Sequence, residues 1–156
     1  MKASRIIILA VALVTGMVHG AKPDSDLFFQ KIKLPSGQTA VVSEGDFEAR
    51  SIGSYSIRVY EPGSEPNDDT TFFTVGIVRE RDGSIEKVLL KDVDGDGQRE
   101  IVVIIRCVGT GSYLSAEAFA VGKNRLVLCA KVAGLDKNAD PVVALAKAVL
   151  KRKLKP

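Results

Sequence analysis

Three short stretches of this sequence hold residue types that could bind or react. They are the carboxylates of Asp92-Val93-Asp94-Gly95-Asp96-Gly97, the thiols of Cys107 and Cys129, and the hydroxyls of Val108-Gly109-Thr110-Gly111-Ser112-Tyr113. Three Asp at alternate positions followed by Gly open a calcium loop, in which oxygens occupy every second position before a tight turn. The position at which an EF-hand needs a bidentate Glu is held by Val103, and the flanks read as strands, so an EF-hand is excluded. A weaker Ca2+ site at Asp92, Asp94 and Asp96 would need Glu100 or backbone carbonyls to complete it. The preferred reading needs no ion and no other cofactor, because Asp-Gly pairs make hairpin turns on their own.

The two cysteines leave a disulfide and a pair of free thiols both open. A bond suits an oxidising compartment. If the strands holding Cys107 and Cys129 flank a common neighbour, they stand two strand spacings apart, about 9.6 Å, whereas a disulfide needs Cα atoms within about 7 Å. The hydroxyl loop, residues 108–113, lies between two apolar stretches. Short loops on rigid sheets are where binding residues commonly sit, but composition alone favours an ordinary Gly-rich hairpin here.

Residues 1–20 read as a secretory signal, with Lys2 and Arg5, an apolar run over 6–14, and Val18-His19-Gly20 as the cleavage site. The run is too short to span a bilayer as a helix, and no Cys follows to carry a lipid, so export without a membrane anchor is expected. Cleavage would leave residues 21–156 as one domain. It would remove His19, the only His, together with Met1 and Met17, and the chain has no Trp. Ser-His-Asp and Cys-His catalysis and His-ligated metals are thereby excluded. Loss of Lys2 and Arg5 takes the basic count from 22 to 20 against 19 acidic residues. Such a balance argues against a nucleic-acid partner, which calls for a basic face.

The elements that must position these groups are short strands punctuated by turns. Strands are predicted over 28–34, 39–43, 54–60, 71–79, 85–90, 100–108, 114–121 and 125–132, an antiparallel eight-stranded sandwich or barrel. Along 28–34, Phe28, Gln30, Ile32 and Leu34 share one face. Ile101-Val102-Val103-Ile104-Ile105 is unbroken rather than alternating, which predicts a strand covered on both faces. One C-terminal α-helix is predicted, capped by Asp140 with Pro141 in its first position. Its apolar face would carry Val142, Leu145, Val149 and Leu150, and Lys151, Arg152, Lys153 and Lys155 would complement its C-terminal dipole.

Thr110-Gly111-Ser112-Tyr113 resembles the Ser-Gly-x-Tyr loop of the periplasmic inhibitors of invertebrate-type (I-type) lysozyme, with Thr in the Ser position. The likeness runs from about residue 28 to 132. It includes Glu44-Gly45-Asp46-Phe47-Glu48-Ala49-Arg50-Ser51-Ile52-Gly53-Ser54-Tyr55, residues 92–100, and Leu114-Ser115-Ala116-Glu117-Ala118-Phe119. The resemblance implies a non-enzymatic periplasmic protein that inserts this loop into a lysozyme's active-site cleft, and implies a homodimer, for which the 101–105 strand offers apolar surface. Thr110 and Tyr113, with Gly111 and Ser112, would then bind the lysozyme, and Arg125 occupies the position of a basic residue that takes part in the family. A regular strand over 114–121 would set Arg125 about 27 Å from Tyr113. Two rivals stand beside this reading: a calcium-dependent module built on Asp92, Asp94 and Asp96, and a hydrolase pairing Asp46 with Glu48, for which no substrate pocket is marked.

Overall fold

The computed structural model describes residues 27–65 and 68–154; the expected signal at 1–20 and Lys155 lie outside them. Eight strands and a helix follow one another as β1 (Phe29–Lys33), β2 (Thr39–Glu44), β3 (Ile52–Glu61), β4 (Phe72–Asp82), β5 (Ser84–Lys91), β6 (Glu100–Arg106), β7 (Leu114–Gly122), β8 (Arg125–Leu135) and α1 (Pro141–Lys153). They form two four-stranded antiparallel meanders in sequence order, β1–β4 and β5–β8. The sheets stack as a sandwich, and neither closes into a barrel, which settles the alternative left by strand spacing alone.

The alternation expected along β1 places Phe28, Ile32 and Leu34 against the core between the sheets. That core joins Ala40, Val42, Tyr55, Ile57 and Val59 of the first sheet to Ile101, Val103, Ile105 and Phe119 of the second. The other face of β6, Val102 and Ile104, packs with Ala116, Ala118, Leu145 and Val149 under α1. The unbroken β-branched run is therefore covered on both faces by its own chain, as predicted. Each such side chain withdrawn from water contributes roughly 1.5–3 kcal/mol. Residues 101–105 are all at most 6% exposed, so they offer no surface to a second copy, contrary to the expected dimer contact.

Helix α1 begins where its cap dictates: Asp140 Oδ1 accepts from the N–H groups of Val142 at 2.8 Å and Val143 at 3.2 Å. Leu145 and Val149 are buried and Val142 is packed against them, but Leu150 is 58% exposed and leaves the predicted apolar face. Its place directly after Val149 turns it about 100° around the helix, away from the sheet. The helix rests on the second sheet through the small side chains of Ala116, Ala118 and Ala130, which let it approach closely.

A polar clasp ties the two sheets near one end. Glu117 of β7 is buried and accepts from Tyr55 Oη at 2.7 Å, Arg79 Nε at 3.0 Å and Lys131 Nζ at 2.9 Å. Burial alone would raise the Glu117 carboxyl, but the bonds from Arg79, Tyr55 and Lys131 outweigh it and hold the group below the usual range. The Tyr55 phenol is pushed up by burial and by this carboxylate. A carboxylate depressed in the folded state adds stability above its unfolded pKa, near 4.3, and that stability is lost as pH falls through the folded value. Thermal midpoints are therefore expected to hold from pH 8 to about 5 and fall below about pH 4, and Glu117→Gln should flatten that acid limb. A scan of melting temperature against pH on both proteins checks this.

Candidate functional site

Three connections meet at the end of the sandwich beside this clasp. Residues 45–51 join β2 to β3, the turn at Gly83 carries the chain from the first sheet to the second, and residues 107–113 join β6 to β7. Gly83 sits where they converge. Its N–H bonds Ser51 O at 2.9 Å, its φ is +116°, and a Cβ there would lie 2.2 Å from Arg106 O and 2.8 Å from Cys107 Cα. No other residue fits that contact.

The 107–113 loop is closed at its base by Cys107 N–H to Tyr113 O at 2.9 Å and turned by Ser112 N–H to Gly109 O at 3.0 Å. Ser112 takes a left-handed backbone, φ +46°. The Arg106 guanidinium fixes it there by donating to Ser112 O at 3.0 Å, and is itself held in a fork by Glu86, with Nη2 to Oε1 at 3.0 Å and Nε to Oε2. Glu86 reaches Arg106 because the register of β5 slips between Ile85 and Lys87. On this support Thr110, Tyr113 and Val108 stand exposed, the latter two at 55% each. Gly111 lies under the Tyr113 ring, where a Cβ would fall 2.3 Å from Cε2. A cleft of about 460 Å³ adjoins the loop, lined among others by Ile52, Asp82, Cys107, Tyr113, Glu117 and Lys131.

Arg125 is exposed and pairs with Gly122 at the far end of β7, so the structure does not bring it to the loop. Arg106, the cation that does meet the loop, was hidden in sequence, since its role depends on the β5 bulge. Cys107 and Cys129 are free thiols. They lie two strands apart across β7, Cys107 beside Tyr113 and Cys129 in the register slip at Ala118 and Phe119, an offset of about 17 Å along that strand that no disulfide spans. Asp46 and Glu48 lie in the 45–51 loop rather than on a strand, and Glu48 is engaged there. It accepts from Ser54 N–H and, at 2.8 Å, from Ser54 Oγ. These bonds, the backbone one foremost, draw its pKa below the carboxylate norm, the opposite of what an acid catalyst needs.

The Asp-rich segment is a self-satisfied turn. Asp92 accepts from Gly95 N–H at 2.7 Å and Gly97 N–H at 3.0 Å, bonds that lower its pKa. Asp96 caps Gln98 N–H at 2.7 Å. The carboxylate oxygens that come within 4.8 Å of one another are those of Asp92, Asp94 and Glu100, so Asp96 is replaced by Glu100 in the grouping predicted for Ca2+. Glu100 is 2% exposed. Burial raises its pKa, Val93 N–H opposes this, and Asp94, Asp96 and Asp92 add to the rise. A carboxyl raised in the folded state weighs against folding once pH exceeds its unfolded pKa. Glu100→Gln keeps an acceptor for Val93 N–H, so in chelator at pH 7 it is expected to raise the melting temperature by about 2–4 °C, with no gain below pH 4, where the unfolded Glu is protonated too. A calcium turn would give the reverse: millimolar Ca2+ would stabilise the wild type, and Glu100→Gln or Asp94→Asn would abolish that.

This end of the sandwich presents a braced loop with exposed hydroxyl and phenol groups, the form of a binding surface. The chain belongs to the family of periplasmic inhibitors of I-type lysozyme: the family model "Periplasmic lysozyme inhibitor of I-type lysozyme" matches residues 26–149. The crystal structure of such an inhibitor from Aeromonas hydrophila is similar at 44% identity, with a TM-score of 0.70 over 76% of this chain and 98% of that one. The Aeromonas hydrophila inhibitor in complex with Meretrix lusoria lysozyme is similar at 44% identity, TM-score 0.69, over 76% of this chain and 94% of that one. Among curated proteins none matches. Among the described residues no helix is long and apolar enough to cross a membrane.

Proposed function

We propose that this protein inhibits an I-type lysozyme by inserting Thr110, Gly111, Ser112 and Tyr113 into its active-site cleft, protecting a bacterial cell wall. The observation that carries the reading is a loop with exposed hydroxyl and phenol groups held rigid by Arg106, in a chain of this family. Glycosidases of this kind set two carboxyl groups about the scissile bond. The Thr110 hydroxyl donates to one of them, a charge-assisted bond of the stronger class, and Tyr113 is a rigid aromatic anchor with a polar tip. Because the loop is ordered before it binds, little entropy is lost on insertion.

In this reading the signal at 1–20 is removed and residues 21–156 act as one domain in the periplasm. A homodimer would use the exposed Phe72, Phe73 and Val78 of edge strand β4, since the 101–105 strand is internal. Arg125 would touch the lysozyme only along an extended cleft. The test is inhibition of invertebrate, chicken and goose lysozymes by the purified protein. Selective inhibition of the invertebrate enzyme is expected; full activity of that enzyme at micromolar inhibitor refutes the proposal.

A further inference from the structure

The two non-glycine residues with left-handed backbone among those described are Phe47, φ +63°, and Ser112, φ +46°. One lies in each of the two loops that meet at Gly83. Ser112 belongs to the loop already assigned to the lysozyme cleft. Phe47 has no part in that reading, and its situation is unfavourable in two ways at once. A bulky residue rarely adopts positive φ, and its ring is 77% exposed, the highest value among the large apolar side chains described.

The 45–51 loop is not loose. Arg81, fully buried, donates to Arg50 O at 2.9 Å and Ala49 O at 3.2 Å, Glu48 ties back to Ser54, and Ser84 Oγ donates to Arg50 O at 3.4 Å. A clamped loop that holds an aromatic ring out in water in a strained conformation gains nothing for folding. Strain of this kind is retained at binding sites, and aromatic residues, Phe among them, are enriched at interface cores, where preordering saves entropy on binding. Ile52, 67% exposed, follows the loop and lines the same cleft as Tyr113. The end of the 45–51 loop therefore adjoins the surface assigned to the lysozyme.

We infer that Phe47 is a second anchor on the same lysozyme molecule, packing on the rim of the cleft that the 107–113 loop enters; this rests on the proposed inhibition. The occupant is one protein, and the two loops act as two prongs fixed relative to each other by Gly83 and Arg81. The test uses Phe47→Asn and Phe47→Gly, both at ease with positive φ, so that the fold is kept and only the ring is lost. Affinity for an I-type lysozyme is expected to weaken at least about tenfold in both, mainly through faster dissociation, with an unchanged or higher melting temperature. Phe47→Tyr should bind as the wild type does. Affinity unaltered in both variants, while Thr110→Ala/Tyr113→Ala loses binding, overturns the second anchor and leaves the first loop standing. A shift from dimer to monomer in sedimentation with unaltered affinity also overturns it and gives the ring to self-association. A wild-type protein that binds no I-type lysozyme overturns both readings.

Discussion

Thr110→Ala/Tyr113→Ala should raise the inhibition constant for an I-type lysozyme by about a thousandfold, with a melting temperature within about 2 °C of the wild type. Truncating an interface anchor costs about 2–4 kcal/mol, and about 4 kcal/mol is three orders of magnitude in affinity. Stability should be spared because both side chains are exposed and neither holds the loop; surface changes of this kind stay within about 0.5 kcal/mol. The loop is held from below, by Arg106 on Ser112 O and by the Cys107–Tyr113 backbone bond. Gly111→Ala separates presence from placement. It keeps the hydroxyl and the phenol but sets a Cβ 2.3 Å from the Tyr113 ring, which must swing aside. An intermediate loss, about 10- to 100-fold, is expected from inhibition curves. Inhibition that survives all three substitutions would move the site off this loop.

The sequence made the strands legible because half-buried strands alternate and a doubly covered one does not, and β1 and β6 behave accordingly. Asp140 was legible as a cap because its chemistry is local. What alternation cannot convey is which strands share a sheet, so the sandwich emerged only with the pairing of β1–β4 and β5–β8. The tip of the site, Thr110 to Tyr113, was readable from residue types and from the resemblance. Its supports were not. Glu86 meets Arg106 through a bulge. In the acidic group Glu100 was legible as a completing residue, but the departure of Asp96 was not, because the turn directs it to Gln98. A signal for buried charge was present in Glu117, an acid among Leu114, Ala116, Ala118 and Phe119. Acids are almost never fully buried unless paired, and its partners, Tyr55, Arg79 and Lys131, are 62, 38 and 14 residues away in the chain.

Arg81→Met should be the most damaging single substitution at this end, at about 3–5 kcal/mol, a fall in melting temperature of about 10 °C or more. The Arg81 side chain is fully buried. It donates to Ser54 O at 3.0 Å, Arg50 O at 2.9 Å, Ala49 O at 3.2 Å and Gly83 O, and lies 3.8 Å from the buried Glu44 and 4.0 Å from Glu48. Methionine fills much of the volume but strands Ala49 O and Gly83 O, leaves Ser54 O to the Gly45 N–H and Arg50 O to the Ser84 hydroxyl, and takes the cation from the buried Glu44. A buried group deprived of its partner bears the whole desolvation cost. Among the described residues Glu44 then keeps the N–H groups of Phe28 and Ile85. Arg81→Lys retains the charge but not the planar fork of five donors, so it should recover less than half the loss. The same substitution also bears on binding. Arg81 fixes the 45–51 loop and the Gly83 turn against which Arg106 and Cys107 pack, so the Met variant, assayed well below its melting point, should inhibit less well than its folded fraction predicts. Inhibition that tracks the folded fraction alone would mean that the guanidinium stabilises this end of the sandwich without positioning its loops.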